Sequence, residues 1–180
     1  MKATRVDAID AAREILTRFD YRLPLNIKAA IHEHGITIIK REMDRSVTGF
    51  LLTDKTRITM VVNGALDAYQ QRFSLAHLLG HFVLHGQGAA LFVDFRKPTA
   101  SKMSSREEWL VREREADEFA AELLMPEDVL RESLGGKPRR RRNFFTQPVA
   151  AHFGVSEIMF ALRLTELGIN PGGSIYSRQF

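Results

Sequence analysis

His77 and His81 stand four residues apart within a stretch, residues 67–86, whose apolar positions recur at helical spacing. On a helix, that spacing puts both imidazoles on one face, one turn apart, where they can share a metal ion. The chain has no cysteine, so His, Asp and Glu are the protein ligands open to such an ion. By itself the spacing also fits an ordinary half-buried histidine pair. Two neighbours add weight. Gly80 sits directly before the second histidine, where a helix interior normally avoids glycine at a cost of roughly 1 kcal/mol relative to alanine, and a close approach by another backbone would explain it. Further on, Glu113 and Asp117 are again four apart. One of them can supply a third ligand while the other accepts a hydrogen bond from a ligating histidine's second ring nitrogen. Two histidines and one carboxylate leave a fourth position open, the arrangement of a catalytic rather than a structural zinc.

Helix geometry weighs the competitors. His85 extends the four-residue series, but at about 1.5 Å per residue it lies roughly 12 Å along the axis from His77, too far for all three to reach one ion. Glu115 points about 200° around the helix from Glu113, so only one of the two can face the metal. Glu107, Glu108, Glu115, Glu118 and Glu122 are expected to face water, with Arg112 and Arg114 as partners.

These side chains need elements to position them. Residues 4–19 and 25–34 read as two opening helices, with Val6, Ile9, Ile15, Leu16 and Phe19 on the buried face of the first. Residues 36–40, 47–53 and 57–62 are short β-branched or apolar runs separated by turn residues, and residues 90–95 offer a fourth. Asp67 with Gln70, and Ser105 with Glu108, have capping-box spacing. They open the helix that bears the histidines, ended by Gly86, and a helix of about five turns ended by Pro126. Shorter helices are expected near 126–134, 146–152 and 156–167.

The segments RFSLAHLLGHFVLH (72–85) and EREADEFAAELLMP (113–126) resemble the ImmA/IrrE family of gluzincin-like zinc metallopeptidases, whose usual motifs are R-F-T-L-A-H-E-L-G-H and E-x-x-A-N-x-F-A-x-x-L-L-M-P. The likeness extends to the opening helices, the VTGFLLTD and TRITMVVN strands and the closing VAAHFGVSEIMFALRLTELG. It implies an α+β, zincin-like fold with a three-stranded sheet, four-stranded if residues 90–95 join, packed on an active-site helix and several others. It also implies zinc held by His77, His81 and Glu113, with Asp117 where the family usually has Asn. The departure is Leu78, at the position of the general base that takes a proton from the attacking water and passes it to the leaving amine. Leucine cannot accept a proton, so hydrolysis is expected to be weak or absent. The implied role is regulatory, on an Xre-type helix-turn-helix repressor or antitoxin in a phage, stress or toxin–antitoxin setting. The alternatives are a non-catalytic zinc-containing partner-binding module and the toxin of such a pair. A peptide partner would add to a sheet edge along residues 57–62.

Composition narrows the remaining classes. Zero cysteines suit a reducing compartment, no apolar run approaches about 18 residues, and the N-terminus lacks a signal-peptide core, so a cytoplasmic protein is expected. The net charge of +4 traces to one run, Lys137 with Arg139 to Arg142, without which the chain would be slightly acidic. Set among glycine and proline, the run reads as a solvated loop. The rhythm of VAAHFGVSEIMFALRL is that of a helix-turn-helix, but its second helix is mostly apolar, which fits core packing better than base readout. Direct nucleic acid binding is not expected. Residues 1–168 are expected to form one domain that includes the helical segment 144–168, followed by a flexible tail over 169–180.

Overall fold

The computed structural model describes residues 5–53, 57–86, 91–95, 106–134 and 146–169. The arginine run, Ser105 and the tail beyond Ile169 lie outside them. The fold is α+β. Helix α1 (Arg5–Arg18) buries Ala8, Ala12, Ile15 and Leu16, a single stripe at helical spacing. Two alanines occupy it where Ile9 was expected, because small residues let α1 lie close to the helix it covers. Asn26 caps α2 (Ile27–Glu33) by accepting from the Ala29 amide, and Gly35, at φ +70°, turns the chain into the first strand.

The sheet contains β1 (Ile36–Arg41), β2 (Val47–Thr53), β3 (Ile58–Asn63) and β4 (Leu91–Phe95) in the order β1-β3-β2-β4. β3 runs parallel to β1 and antiparallel to β2, and β4 is antiparallel to β2. β3 is therefore interior, which corrects the expectation that residues 57–62 offer a free edge; the edges are β1 and β4. The reason is topological. The β1–β2 connection passes over the end of β3 and leaves a slot between those strands, which β3 fills. Asn63 anchors that crossing. It is fully buried, its Nδ2 donates to the carbonyls of Met43, Asp44 and Val47, and its Oδ1 accepts from the amides of Met43 and Ala65.

Asp67 caps α3 (Ala68–His85) by accepting from the Gln70 amide, and α4 (Arg106–Leu124) packs across α3. α5 (Glu127–Ser133), α6 (Thr146–Phe153) and α7 (Glu157–Glu166) complete the chain order. α7 turns Phe160, Arg163 and Leu164 inward, with Phe160 stacked on Phe153 at 6.1 Å between centroids. Ile169 bonds back to the Leu164 carbonyl and packs on the core. No helix among the described residues is long and apolar enough to cross a membrane.

Two glutamates depart from expectation. Glu122 is buried, with Oε1 2.8 Å from Arg13 Nε of α1 and Oε2 bonded to Arg163 Nη2 of α7. Glu115 is buried beside His85. Both lie on faces of α4 that other helices cover, so each exchanges water for a cation or an imidazole donor. Glu108 keeps the expected exposed pairing with Arg112, at 3.0 Å.

Replacing Asn63 by alanine leaves several buried backbone groups of the crossing without a partner. The expected loss is about 2–4 kcal/mol of stability, read from the urea midpoint at unchanged slope.

Candidate metal centre

The site is built where α3 and α4 touch most closely. A Cβ placed on Gly80 would lie 2.9 Å from Phe119 Cδ1 and 3.2 Å from both the Cα and the carbonyl oxygen of Ala116. The contact with the Phe119 ring is closer than real Cβ atoms essentially ever show and the two backbone contacts are tighter than most, so a larger residue at 80 would have to shift Phe119 and ease the helices apart. One turn before Ala116, Glu113 meets the histidine face of α3.

His77 Nε2 and His81 Nε2 converge to 3.0 Å. Glu113 closes the group, with Oε1 3.2 Å from His81 Nε2 and Oε2 3.5 Å from His77 Nε2. The two imidazoles are almost wholly buried and Glu113 is partly exposed. Among the described residues these three form the group able to hold a metal ion, with one ligand atom from each within 4.8 Å of the others.

The outer partners decide which ring nitrogens carry hydrogen. His77 Nδ1–H donates to Asp117 Oδ1 at 2.9 Å, which leaves Nε2 as a lone pair. His85 Nε2–H donates to Glu115 Oε2 at 2.8 Å, so neutral His85 must accept at Nδ1. That nitrogen lies 3.3 Å from His81 Nδ1 and accepts a hydrogen bond from its N–H, so His81 Nε2 is also left as a lone pair. Two imidazole lone pairs and a carboxylate thus face one another with no donor between them. A cation satisfies all of them at once, and the donor set of two nitrogens and a carboxylate suits a divalent transition ion.

His85 and Glu115 were not assigned here from the sequence. The signal was present in the four-residue step from His81 to His85. His85 lies outside the group of converging ligand atoms and meets it through His81 Nδ1. Glu115 is reached only through the crossing of the two helices.

Leu78 follows His77 on α3. It is 0% exposed and belongs to the hydrophobic core. A Cβ on Gly49 of β2 would lie 3.0 Å from its Cδ1 and 2.9 Å from Ser74 Oγ, so α3 presses on the sheet at this point.

The electrostatics follow from this packing. Burial alone would raise the Glu113 carboxyl, but once a proton on His77 or His81 turns its Nε2 from an acceptor into a donor, the hydrogen bonds and positive charge outweigh burial and bring the carboxyl down to about 2. Burial holds His81 below its ordinary value of 6.5 against the pull of Glu113, and does the same to His85 against Glu115.

The sequence profile of the IrrE N-terminal-like domain, a peptidase family, matches residues 31–165, a span that contains His77, His81, Glu113 and Asp117. Metallopeptidase ImmA of Bacillus subtilis is 26% identical over 144 residues, covering 80% of this chain and 77% of its own length. Uncharacterized immunity region protein 2 of Bacillus phage phi105 is 27% identical over 120 residues, covering 67% and 69%.

Two outcomes are expected. His85→Ala and Asp117→Ala, which leave the three converging atoms in place, should each weaken metal affinity by about 10- to 100-fold in a competition titration with a chromogenic chelator. Without metal, the unfolded chain binds more protons than the native one at His81, His85 and Glu113, so stability must fall as pH drops. The histidine loss begins below the ordinary value of 6.5. The Glu113 contribution is complete above 4.5 and disappears as pH falls toward about 2. Urea midpoints against pH should show both stages, and Glu113→Gln should remove the second.

Proposed function

The chain belongs to the ImmA/IrrE metallopeptidase family, and from that premise we propose that it is a zinc-holding regulatory member that captures a helix-turn-helix repressor or antitoxin of the Xre type, with hydrolysis weak or absent. The observation that carries this reading is the pairing of a complete His77, His81 and Glu113 group with a buried leucine at 78.

His77 and His81 would hold the zinc through Nε2 and Glu113 through its carboxylate, with Asp117 and His85 fixing the rings. When bound, zinc supplies Lewis acidity toward a peptide carbonyl and toward water. What the protein itself must add is a proton acceptor, and here the supply is short. Leu78 has none to offer and packs against β2. Glu113 is engaged by both histidines, Asp117 by His77, and Glu115 by His85. Loss of general acid–base help costs about 10²- to 10⁴-fold in rate.

Binding of an extended segment does not need that base. With β3 interior, strand addition falls to an edge, and β4 is the edge beside β2, the strand that Leu78 touches. The phage relative is named for an immunity region, which suits a regulatory setting for this chain. Direct contact with nucleic acid is not part of the reading: the helix-turn-helix-like pair α6–α7 buries Arg163 and exposes Ile158 and Leu162.

The test compares the unaltered chain with Leu78→Glu, using Leu78→Gln as a neutral control, for zinc content and for cleavage of a candidate repressor. One zinc per chain is expected in all three, with cleavage by Leu78→Glu at least about 10² faster than by the unaltered chain. Efficient cleavage by the unaltered chain would overturn the non-catalytic reading. A well-folded sample that takes up no zinc would overturn the metal assignment.

A further inference from the structure

A second site lies across α3 from the histidines. Ala68, Gln71, Arg72 and Leu75 recur at helical spacing and line a cavity of about 580 Å³ between α2, β1, β3 and α3. At 100° per residue, His77 points about 200° away from Leu75, so the cavity and the metal group occupy opposite faces of the helix. Its size falls within the range of small-molecule pockets.

The chemistry of the lining is one-sided. Lys28, His32, Lys40 and Arg72 bring four groups able to carry positive charge, no acidic side chain among the described residues lines the cavity, and Ile38 and Leu75 supply apolar wall. His32 is held in place by a hydrogen bond between its Nδ1 and the Ile36 carbonyl at 3.1 Å. Lys28 and Lys40 are exposed at the mouth, whereas Arg72 sits deeper.

Arg72 is the informative residue. Its Nε and Nη2 are buried and meet no hydrogen-bond partner among the described residues. The turn between α6 and α7 presses on it: a Cβ on Gly154, itself at φ +67°, would lie 3.2 Å from Nε and 3.5 Å from Cζ. Leaving these two donors unmatched is costly, since a buried donor of a charged group loses its hydration with no return. Burial accordingly lowers its pKa. With Arg72, two lysines and a histidine along its walls and apolar surface between them, the cavity suits an oxyanion carried on a small apolar body.

We propose that this cavity binds a small-molecule anion, a phosphate or carboxylate head on a compact apolar group, with Arg72 as its principal contact and Lys28 and Lys40 at the entrance. The site does not depend on the metal group or on the reading of Leu78.

Calorimetric titration of the full chain tests it, at constant ionic strength set by chloride, with phenyl phosphate, benzoate, inorganic phosphate and neutral benzyl alcohol as probes. Saturable one-to-one binding is expected for phenyl phosphate or benzoate, the tighter of the two naming the head group. Inorganic phosphate should bind more weakly and benzyl alcohol not at all. Arg72→Met should weaken binding by about tenfold or more, and the double variant Lys28→Met with Lys40→Met, which touches only exposed side chains, by several-fold. Should Arg72→Met fail to fold, the double variant decides alone. Each titration is repeated after chelation of metal and after addition of zinc, and affinity should be equal in both. Three results would overturn the proposal: no saturable binding up to about 10 mM, an affinity indifferent to the lysine replacements, or binding that appears only when zinc is present.

Discussion

The close crossing of α3 and α4 at Gly80 is the constraint on which the rest of the site depends. A glycine there lets the Ala116 backbone approach within van der Waals distance, and that approach carries Glu113 to the two histidines. The same contact brings Glu115 to His85 and Asp117 to His77, so both the converging atoms and their supports are set by one packing event. Helix propensity would favour almost any other residue at position 80. The local cost is offset by a geometry that a larger side chain would forbid.

Holding two helices this close requires the elements around them to be rigid, and buried polar groups contribute much of that rigidity. Glu122 joins α1, α4 and α7 through Arg13 and Arg163, while Asn63 ties the β1–β2 crossing to the end of β3. Such groups are hard to exchange one at a time, because removing a partner strands a charge or a backbone donor in the interior. They specify which helix lies where, whereas the apolar core around Leu79, Phe119 and Met60 supplies the general driving force.

α3 is chemically divided along its length. One face offers imidazole nitrogens to α4, another presses Leu78 into Gly49 of β2, and a third presents Arg72 to a basic cavity. Because side chains on successive residues point about 100° apart, a change at 78 alters the chemistry beside His77 without moving the ring itself. That is why the three converging ligand atoms can stay in place whatever residue stands at 78.

Local pattern alone determined a good deal. The bounds of β2, the Asp67 cap, the end of α3 at Gly86 and the His77 and His81 pair were legible because each depends on residues within a few positions of one another. Glu113 and Asp117 were legible through motif likeness and their four-residue spacing. What sequence could not show is which faces are covered. Glu115 and Glu122 look like surface residues until α3, α1 and α7 are laid against α4, and β3 looks like a free edge until the crossing inserts it between β1 and β2. The physical reason is that burial and strand order arise from contacts between residues far apart in the chain, and no periodicity encodes them. The basic lining of the cavity has the same origin, since Lys28, Lys40 and Arg72 share a wall only once α2, β1 and α3 have packed.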